Sequence, residues 1–144
     1  MGDSGTPLHR KLGVKPESRV LLSAAPVGFA LDEVPPGAVV HTRAAGSSYD
    51  VIVAFCPDRR RLVTRFPSLS ARLTPAGAIW VVWPKRSSGP ERSGGPKRSS
   101  GTTADLDDNV VREIGLRNGL VDVKVAAVDE TWSGLKFVRR VRDR

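Results

Sequence analysis

The order of apolar runs along this chain predicts an α/β domain with a mostly parallel sheet and a final antiparallel hairpin strand. Three observations carry that expectation. Arg19–Ser23, Asp50–Phe55 and Ala78–Trp83 are short, continuously apolar and rich in β-branched residues, as strands covered on both faces are. Two segments between and after them repeat their apolar residues at helical spacing. The last two runs, Val121–Val128 and Leu135–Val141, are separated only by a short polar connection, which reads as a hairpin. The 144 residues suit one domain.

Taken in order, residues 1–8 are small and polar and are expected to be disordered, and Leu8–Leu12 forms a short helical turn before Gly13. Lys15-Pro16-Glu17-Ser18 turns the chain into the Arg19–Ser23 strand. Phe29–Glu33 is read as one helical turn stopped by Pro35-Pro36-Gly37, and Ala38–Thr42 as a second short strand. After Asp50–Phe55, Pro57 suits the first turn of a helix and Asp58 the positive end of its dipole. Leu62, Phe66, Leu69 and Leu73 then share one helical face, with Pro67 expected to break or kink the segment and Thr74–Gly77 to end it. Ala78–Trp83 follows as a buried strand. A helix is expected from near Asp105, with Asp107 and Asp108 favouring its start, Leu106, Val110, Val111 and Ile114 on its apolar face, and Asn118-Gly119 as its stop. In Val121–Val128, Asp122 and Lys124 are assigned to one side and Val121, Val123 and Val125 to the other. Asp129–Gly134 connects to the last strand.

Composition limits the function. No apolar run is long enough to span a membrane, the first residues lack a basic-then-apolar leader pattern, and the single Cys56 can build neither an internal disulfide nor a thiolate metal site. A cytoplasmic location and no membrane partner are the expectations. The net charge of +8 divides between two segments. Residues 84–101 carry Lys85, Arg86, Arg92, Lys97 and Arg98 against Glu91, and residues 136–144 carry Lys136, Arg139, Arg140, Arg142 and Arg144 against Asp143: five cations less one anion in each, +4 and +4, leaving the rest formally neutral. The first segment is three tandem hexapeptides, PKRSSG, PERSGG and PKRSSG. Such a composition cannot bury a core, so a disordered basic loop is expected over 84–103, interrupting a single domain of residues 9–141 that ends in a basic tail at 142–144.

Parallel crossovers followed by an inserted antiparallel strand are how the methyltransferase variant of the Rossmann fold closes, and the expected fold is a reduced version of it. The segments TPLHRKLGVKPESRVLLSAAPVGF, DVIVAF, LTPAGAIWVVWPK and DLDDNVVREIGLRNGLVDVKVAAVDETWSGLKFV resemble the mostly actinobacterial domain-of-unknown-function family 3052. The resemblance runs from Thr6 to Val141 apart from the hexapeptides, and is most specific at Trp83–Lys85 and Asp129–Phe137. It implies the same fold, with a short first crossover helix and one usual strand missing, and a soluble location. It implies no activity.

Two features of a cofactor-binding fold are absent. After the first strand the chain reads Ala24-Ala25-Pro26-Val27-Gly28, where a glycine-rich turn would let backbone approach a dinucleotide or S-adenosylmethionine. The second strand ends His41-Thr42-Arg43, where an acidic residue would hold a ribose. No cofactor is therefore expected, and no metal-ligand spacing is present. Ligands of open α/β sheets bind beyond the carboxyl ends of the strands, and that edge would collect Ala25–Phe29, Phe55-Cys56, Trp83-Pro84-Lys85 and Asp129–Trp132, with Gly28, Phe29, Trp83, Lys85, Asp129, Glu130 and Trp132 as a candidate rim. Aromatic walls with a few polar groups suit a small-molecule cleft. Equally, Trp83 and Trp132 could pack together as a cap while Lys85 pairs with Glu130. Asp129 and Glu130, adjacent in a hairpin, point apart too readily to act as a catalytic pair. Cys56, between a strand and a helix start, is read as a packing residue more than a reactive thiol. Lys85, Arg86, Arg92, Lys97 and Arg98 could neutralise nucleic-acid phosphates, but the hexapeptides lack aromatic residues to stack bases, and insertion into a tolerant loop accounts for them.

These observations favour a non-catalytic module binding a small ligand or a protein at the rim. A divergent S-adenosylmethionine-dependent methyltransferase is the second reading. A nucleic-acid accessory protein acting through the basic loop and tail is the third. An exposed last strand could pair between subunits, and the sequence leaves the oligomeric state open.

Overall fold

Alternation along the central strands sends their side chains to two faces, and each face has become a core. The computed structural model describes residues 7–27, 29, 31, 34–46, 48–85, 106–128 and 131–143. Strands β1 (Arg19–Ser23), β2 (Val39–His41), β3 (Tyr49–Phe55), β4 (Leu73–Pro84), β5 (Leu120–Ala127) and β6 (Trp132–Arg139) form a six-stranded sheet in the order β2-β1-β3-β4-β6-β5. The first four are mutually parallel where they pair, and β6 lies antiparallel between β4 and β5. The chain has the mixed α/β fold expected of it.

One face carries Leu21, Ile52, Ile79, Val81, Trp83, Leu135 and Phe137, covered by α2 (Arg59–Ser70) through Leu62, Phe66 and Leu69 and by α3 (Asp108–Arg117) through Val111 and Ile114. The other carries Val20, Leu22, Val51, Val53, Phe55, Trp80 and Val82, covered by the short helix α1 (Leu8–Leu12) and by Ala25, Phe29, Leu31 and Ala38. Trp80 ties α1 down. Its ring is wholly buried, and its Nε1 donates to the Leu12 carbonyl at 3.0 Å. On the opposite face Phe66 and Phe137 meet edge-on at 5.7 Å. No helix among the described residues is long and apolar enough to cross a membrane.

Local detail departs from the sequence expectations in several places, among them the last strand, which runs Trp132–Arg139 and not Leu135–Val141. Asp58 is the N-cap of α2, its carboxylate accepting the Arg61 N–H at 2.9 Å, so Pro57 precedes the helix instead of opening it. Pro67 does not end α2, which continues to Ser70. The carbonyl that Pro67 leaves without a helical donor belongs to Val63, which is 48% exposed and open to water. Leu73 lies in β4, not on the helix. The β3–β4 ladder pairs Tyr49 with Leu73 and Val51 with Ala78, so Thr74–Gly77 bulges out of the strand. Arg139 holds the bulge, donating from Nη1 to the Thr74 carbonyl at 2.8 Å and from Nη2 to the Ser70 carbonyl at 2.9 Å. Finally, Asp122 and Lys124 do not share a side. A bulge at Val123 pairs Asp122 with Phe137 but Lys124 with Lys136, and those two β6 residues face opposite ways. Asp122 therefore reaches α3, where Arg112 Nε donates to it at 2.9 Å.

α3 begins at Asp108 with Asp107 as N-cap, its side chain accepting the Val110 N–H at 2.9 Å. Leu106 before the cap and Val111 inside the helix are both fully buried, a hydrophobic staple. The helix thus starts later than the expected position near Asp105, with Leu106 outside it. Of the disordered loop expected over 84–103, Pro84 is instead the last residue of β4 and Lys85 extends its ladder; residues 86–103 and most of the expected N-terminal tail lie outside the described residues. So do Ala30, Asp32 and Glu33 of the expected turn at Phe29–Glu33. A single 3₁₀ turn, Val141–Asp143, follows β6.

Candidate functional site

The carboxyl ends of β1, β3 and β4 converge with the start of β6 along one edge. At the end of β1 the backbone turns through Ala24 in the left-handed region (φ 61°). Pro26 then offers no N–H, its carbonyl accepts the Phe29 N–H at 3.0 Å, and Val27 between them is fully exposed. The Phe29 ring sits edge-on to Phe55 at 4.8 Å, and Phe55 in turn to Trp132 at 5.2 Å. Three aromatic rings thus cover the ends of β1 and β3 on the α1 side. Phe55 is buried, while Phe29 and Trp132 remain half-exposed.

Of the residues expected to form a rim, the structure joins Phe29 and Trp132 through Phe55. Trp83 takes the opposite face, 5% exposed in the core under α2 and α3. Trp132 is registered with Pro84 and Ser133 with Trp83, so the two tryptophans are separated by the thickness of the sheet and do not pack together. Lys85 lies at the edge, its backbone N–H extending the ladder to the Thr131 carbonyl at 2.8 Å. Gly28, Asp129 and Glu130 lie outside the described residues, as do Arg86, Arg92, Lys97 and Arg98.

Two further features were not singled out from the sequence. His41, at the end of β2 where a ribose-binding acid was sought, has its Nδ1 2.7 Å from the Tyr49 hydroxyl, and Tyr49 Oη accepts the Ala45 N–H at 2.9 Å. Arg19 lies over the same tyrosine ring at 4.7 Å. The second feature is α2, whose Arg59, Arg60 and Arg61 are all exposed near this edge. Arg65 Nη1 donates to the Phe55 carbonyl at 3.3 Å. The run Arg59-Arg60-Arg61 was visible in the sequence, but acidic residues elsewhere cancel it in a sum of charge.

Cys56 follows Phe55 directly and is fully buried. Burial pushes its thiol up to about 12; the nearby Arg65 opposes the shift and Asp58 adds to it. A thiol held protonated is a poor nucleophile. Folded protein is therefore expected to resist alkylation at pH 8 and to react at once when denatured, which a timed iodoacetamide assay with mass spectrometry checks. The same shift has a stability consequence. The folded-state value is raised above the unfolded one, so the contribution is complete below the unfolded value, near 9.0, and is lost as pH climbs from there toward about 12. Cys56→Ala is expected to flatten the alkaline loss of stability in that window, by up to about 1.4 kcal/mol per pH unit, in urea melts across pH. Among the described residues no cluster of three or more His, Cys, Asp or Glu side chains could hold a metal ion.

No protein-family model and no curated protein matches the chain. Solved structures do match. A possible exported protein from Bordetella parapertussis superposes with a TM-score of 0.59 at 15% identity, over 93% of this chain and 66% of the other, so the chain spans just under two thirds of that relative. A SAM-dependent methyltransferase from Aquifex aeolicus gives 0.58 at 14% identity, over 89% and 85%. The magnesium protoporphyrin IX methyltransferase from Synechocystis PCC 6803 with bound SAH gives 0.60 at 12% identity, over 92% and 78%. At these identities the likeness establishes a methyltransferase-like Rossmann fold and nothing of its chemistry.

Proposed function

We propose that this chain is a non-catalytic binding module on a methyltransferase-like fold, taking a small ligand or a protein side chain at its aromatic edge. The observation that carries the reading is the packing of Phe29 on Phe55 with Trp132 beside it. Open α/β sheets bind ligands in the crevice outside the carboxyl ends of their strands, and here rings occupy the ends of β1 and β3. The turn after β1 has a proline where a backbone donor would help, and His41 is engaged by Tyr49 instead of offering a carboxylate. Half-exposed Phe29 and Trp132 give the edge an apolar contact surface with Lys85 beside it, as small-ligand sites and protein anchors have. We further propose membership of domain-of-unknown-function family 3052, on the segments quoted above.

A thermal-shift titration with S-adenosylmethionine, S-adenosylhomocysteine and common nucleotides tests this. A ligand that binds only the folded state stabilises it, by about 2.7 kcal/mol at a hundredfold excess over Kd. The expected result is no shift with any of these compounds at millimolar concentration. A saturable rise with S-adenosylmethionine would overturn the module reading in favour of a divergent methyltransferase, which the fold likeness supports. Trp132→Ala is expected to leave the fold intact, with a loss of about 1–2 kcal/mol from a half-buried ring, and to weaken any partner later identified by tenfold or more.

A further inference from the structure

The opposite end of the sheet holds a separate cluster. Lys136 on β6 is registered directly opposite Lys124 on β5, and like charges in that relation oppose strand pairing. The bulge at Val123 produces the juxtaposition. An unbroken register from the Asp122–Phe137 pair would set Lys124 against Leu135, on the core face. A third lysine, Lys15, comes from the turn after α1. Its backbone is held there, the Lys15 N–H donating to Ser18 Oγ at 3.0 Å and the Ser18 N–H to the Lys15 carbonyl at 3.0 Å.

Lys15 and Lys136 line a cleft of about 390 Å³ that runs along the first residues of β3 and the Thr74–Ala78 part of β4. The Lys136 ammonium lies beside Gly13, where a Cβ would stand 3.6 Å from Nζ. Gly13 caps the C-terminus of α1 (φ 86°), whose carbonyl ends favour a nearby cation. Burial first, then Lys124 and Lys15, hold the Lys136 ammonium below the usual lysine range. Two carboxylates, Asp50 and Glu17, also line the cleft and are engaged at its walls. Asp50 Oδ2 accepts the Arg19 N–H at 2.9 Å, and the Glu17 side chain lies over Gly37, where a Cβ would stand 2.7 Å from its Cγ.

We propose that this cleft is an anion site for a small phosphate-bearing molecule, with Lys15, Lys124 and Lys136 as its cations. Two lysines lining the cleft, with Lys124 registered beside one of them, match a multiply charged phosphate better than a single carboxylate. An anionic occupant would relieve the mutual repulsion of the lysines. The site lies at the amino ends of β3 and β4, away from the aromatic edge, and does not depend on what that edge binds.

Pyrophosphate is the probe, titrated into the full chain at constant ionic strength and followed by calorimetry and thermal shift. The wild-type protein is expected to show a saturable rise in Tm, and Lys136→Met at least a tenfold loss of affinity. Lys124→Glu separates binding from folding. It turns the repelling cross-strand pair into an attractive one, so its ligand-free Tm is expected to rise by about 2–4 °C while its pyrophosphate response disappears. A Lys97→Met, Arg98→Met double variant in the hexapeptides is expected to bind as wild type does. Absence of a saturable rise in the wild type overturns the proposal. Unchanged binding in both Lys136→Met and Lys124→Glu does so too, as does a loss confined to the hexapeptide variant. A short oligonucleotide that outcompetes pyrophosphate at equal phosphate concentration would overturn small-molecule occupancy.

Discussion

Trp80→Ala is expected to remove about 3–5 kcal/mol of stability, a large share of the roughly 5–15 kcal/mol that holds a domain together. The ring has no exposed surface and packs closely enough on β6 that a Cβ on Gly134 would stand 3.1 Å from its Cε3. Its Nε1 carries the 3.0 Å hydrogen bond to the Leu12 carbonyl, at the end of a helix only five residues long. Such a helix has little stability of its own, so α1 depends on the tryptophan as much as the core does. Trp80→Phe keeps much of the ring volume and removes the donor. It is expected to cost about 1–3 kcal/mol, the penalty of a buried carbonyl left without a partner. Urea denaturation measures both variants, with the midpoint moving and the slope unchanged. A loss below about 1 kcal/mol for Trp80→Ala would mean that α1 is not docked on the sheet in solution.

Gly115→Ala gives the second large effect, and its sign is the informative part. On helix propensity alone alanine is favoured by about 1 kcal/mol at an interior position. Here the added Cβ would stand 2.0 Å from Cε2 of Phe137. That ring cannot withdraw, because it is fully buried and held edge-on against Phe66 at 5.7 Å. Overpacking is expected to win, with a net loss of about 1–3 kcal/mol. Phe137→Leu in the same background should recover part of it, a coupling that a double-mutant cycle measures directly. A stabilised Gly115→Ala protein would show that α3 does not approach β6 this closely.

The strands were legible because their signal is local. Arg19–Ser23 was bounded to the residue, and Asp50–Phe55 and Ala78–Trp83 fell inside β3 and β4, since continuous β-branched runs between turn signals have few alternatives. The apolar face of α2 was read correctly at Leu62, Phe66 and Leu69 for the same reason. Leu73 continued that spacing by coincidence. Its burial was right and its element was wrong, because periodicity does not distinguish the last turn of a helix from the first residue of a strand. The candidate rim was less legible. The sequence placed Trp83 and Trp132 at one edge, which β4 and β6 do share, but a tryptophan's face depends on the parity of its pairing. Phe55, the ring joining Phe29 to Trp132, was placed at the carboxyl end of its strand and at the same edge, but not among the rim residues.

By itself the sequence determined the order of the main elements, the parallel run of strands, the final antiparallel pair, an acidic start to α3 and the end of α1 before Gly13. Each follows from contacts within a few residues or from the rule that short connections make hairpins and long ones crossovers. Only the tertiary structure decided which residues meet. The bulges at Thr74–Gly77 and Val123 shift register between strands distant in sequence, and a shift of one residue exchanges the faces of every side chain beyond it. That exchange sends Asp122 to α3 and Lys124 to Lys136. It depends on pairing across the sheet, which no window of the chain contains.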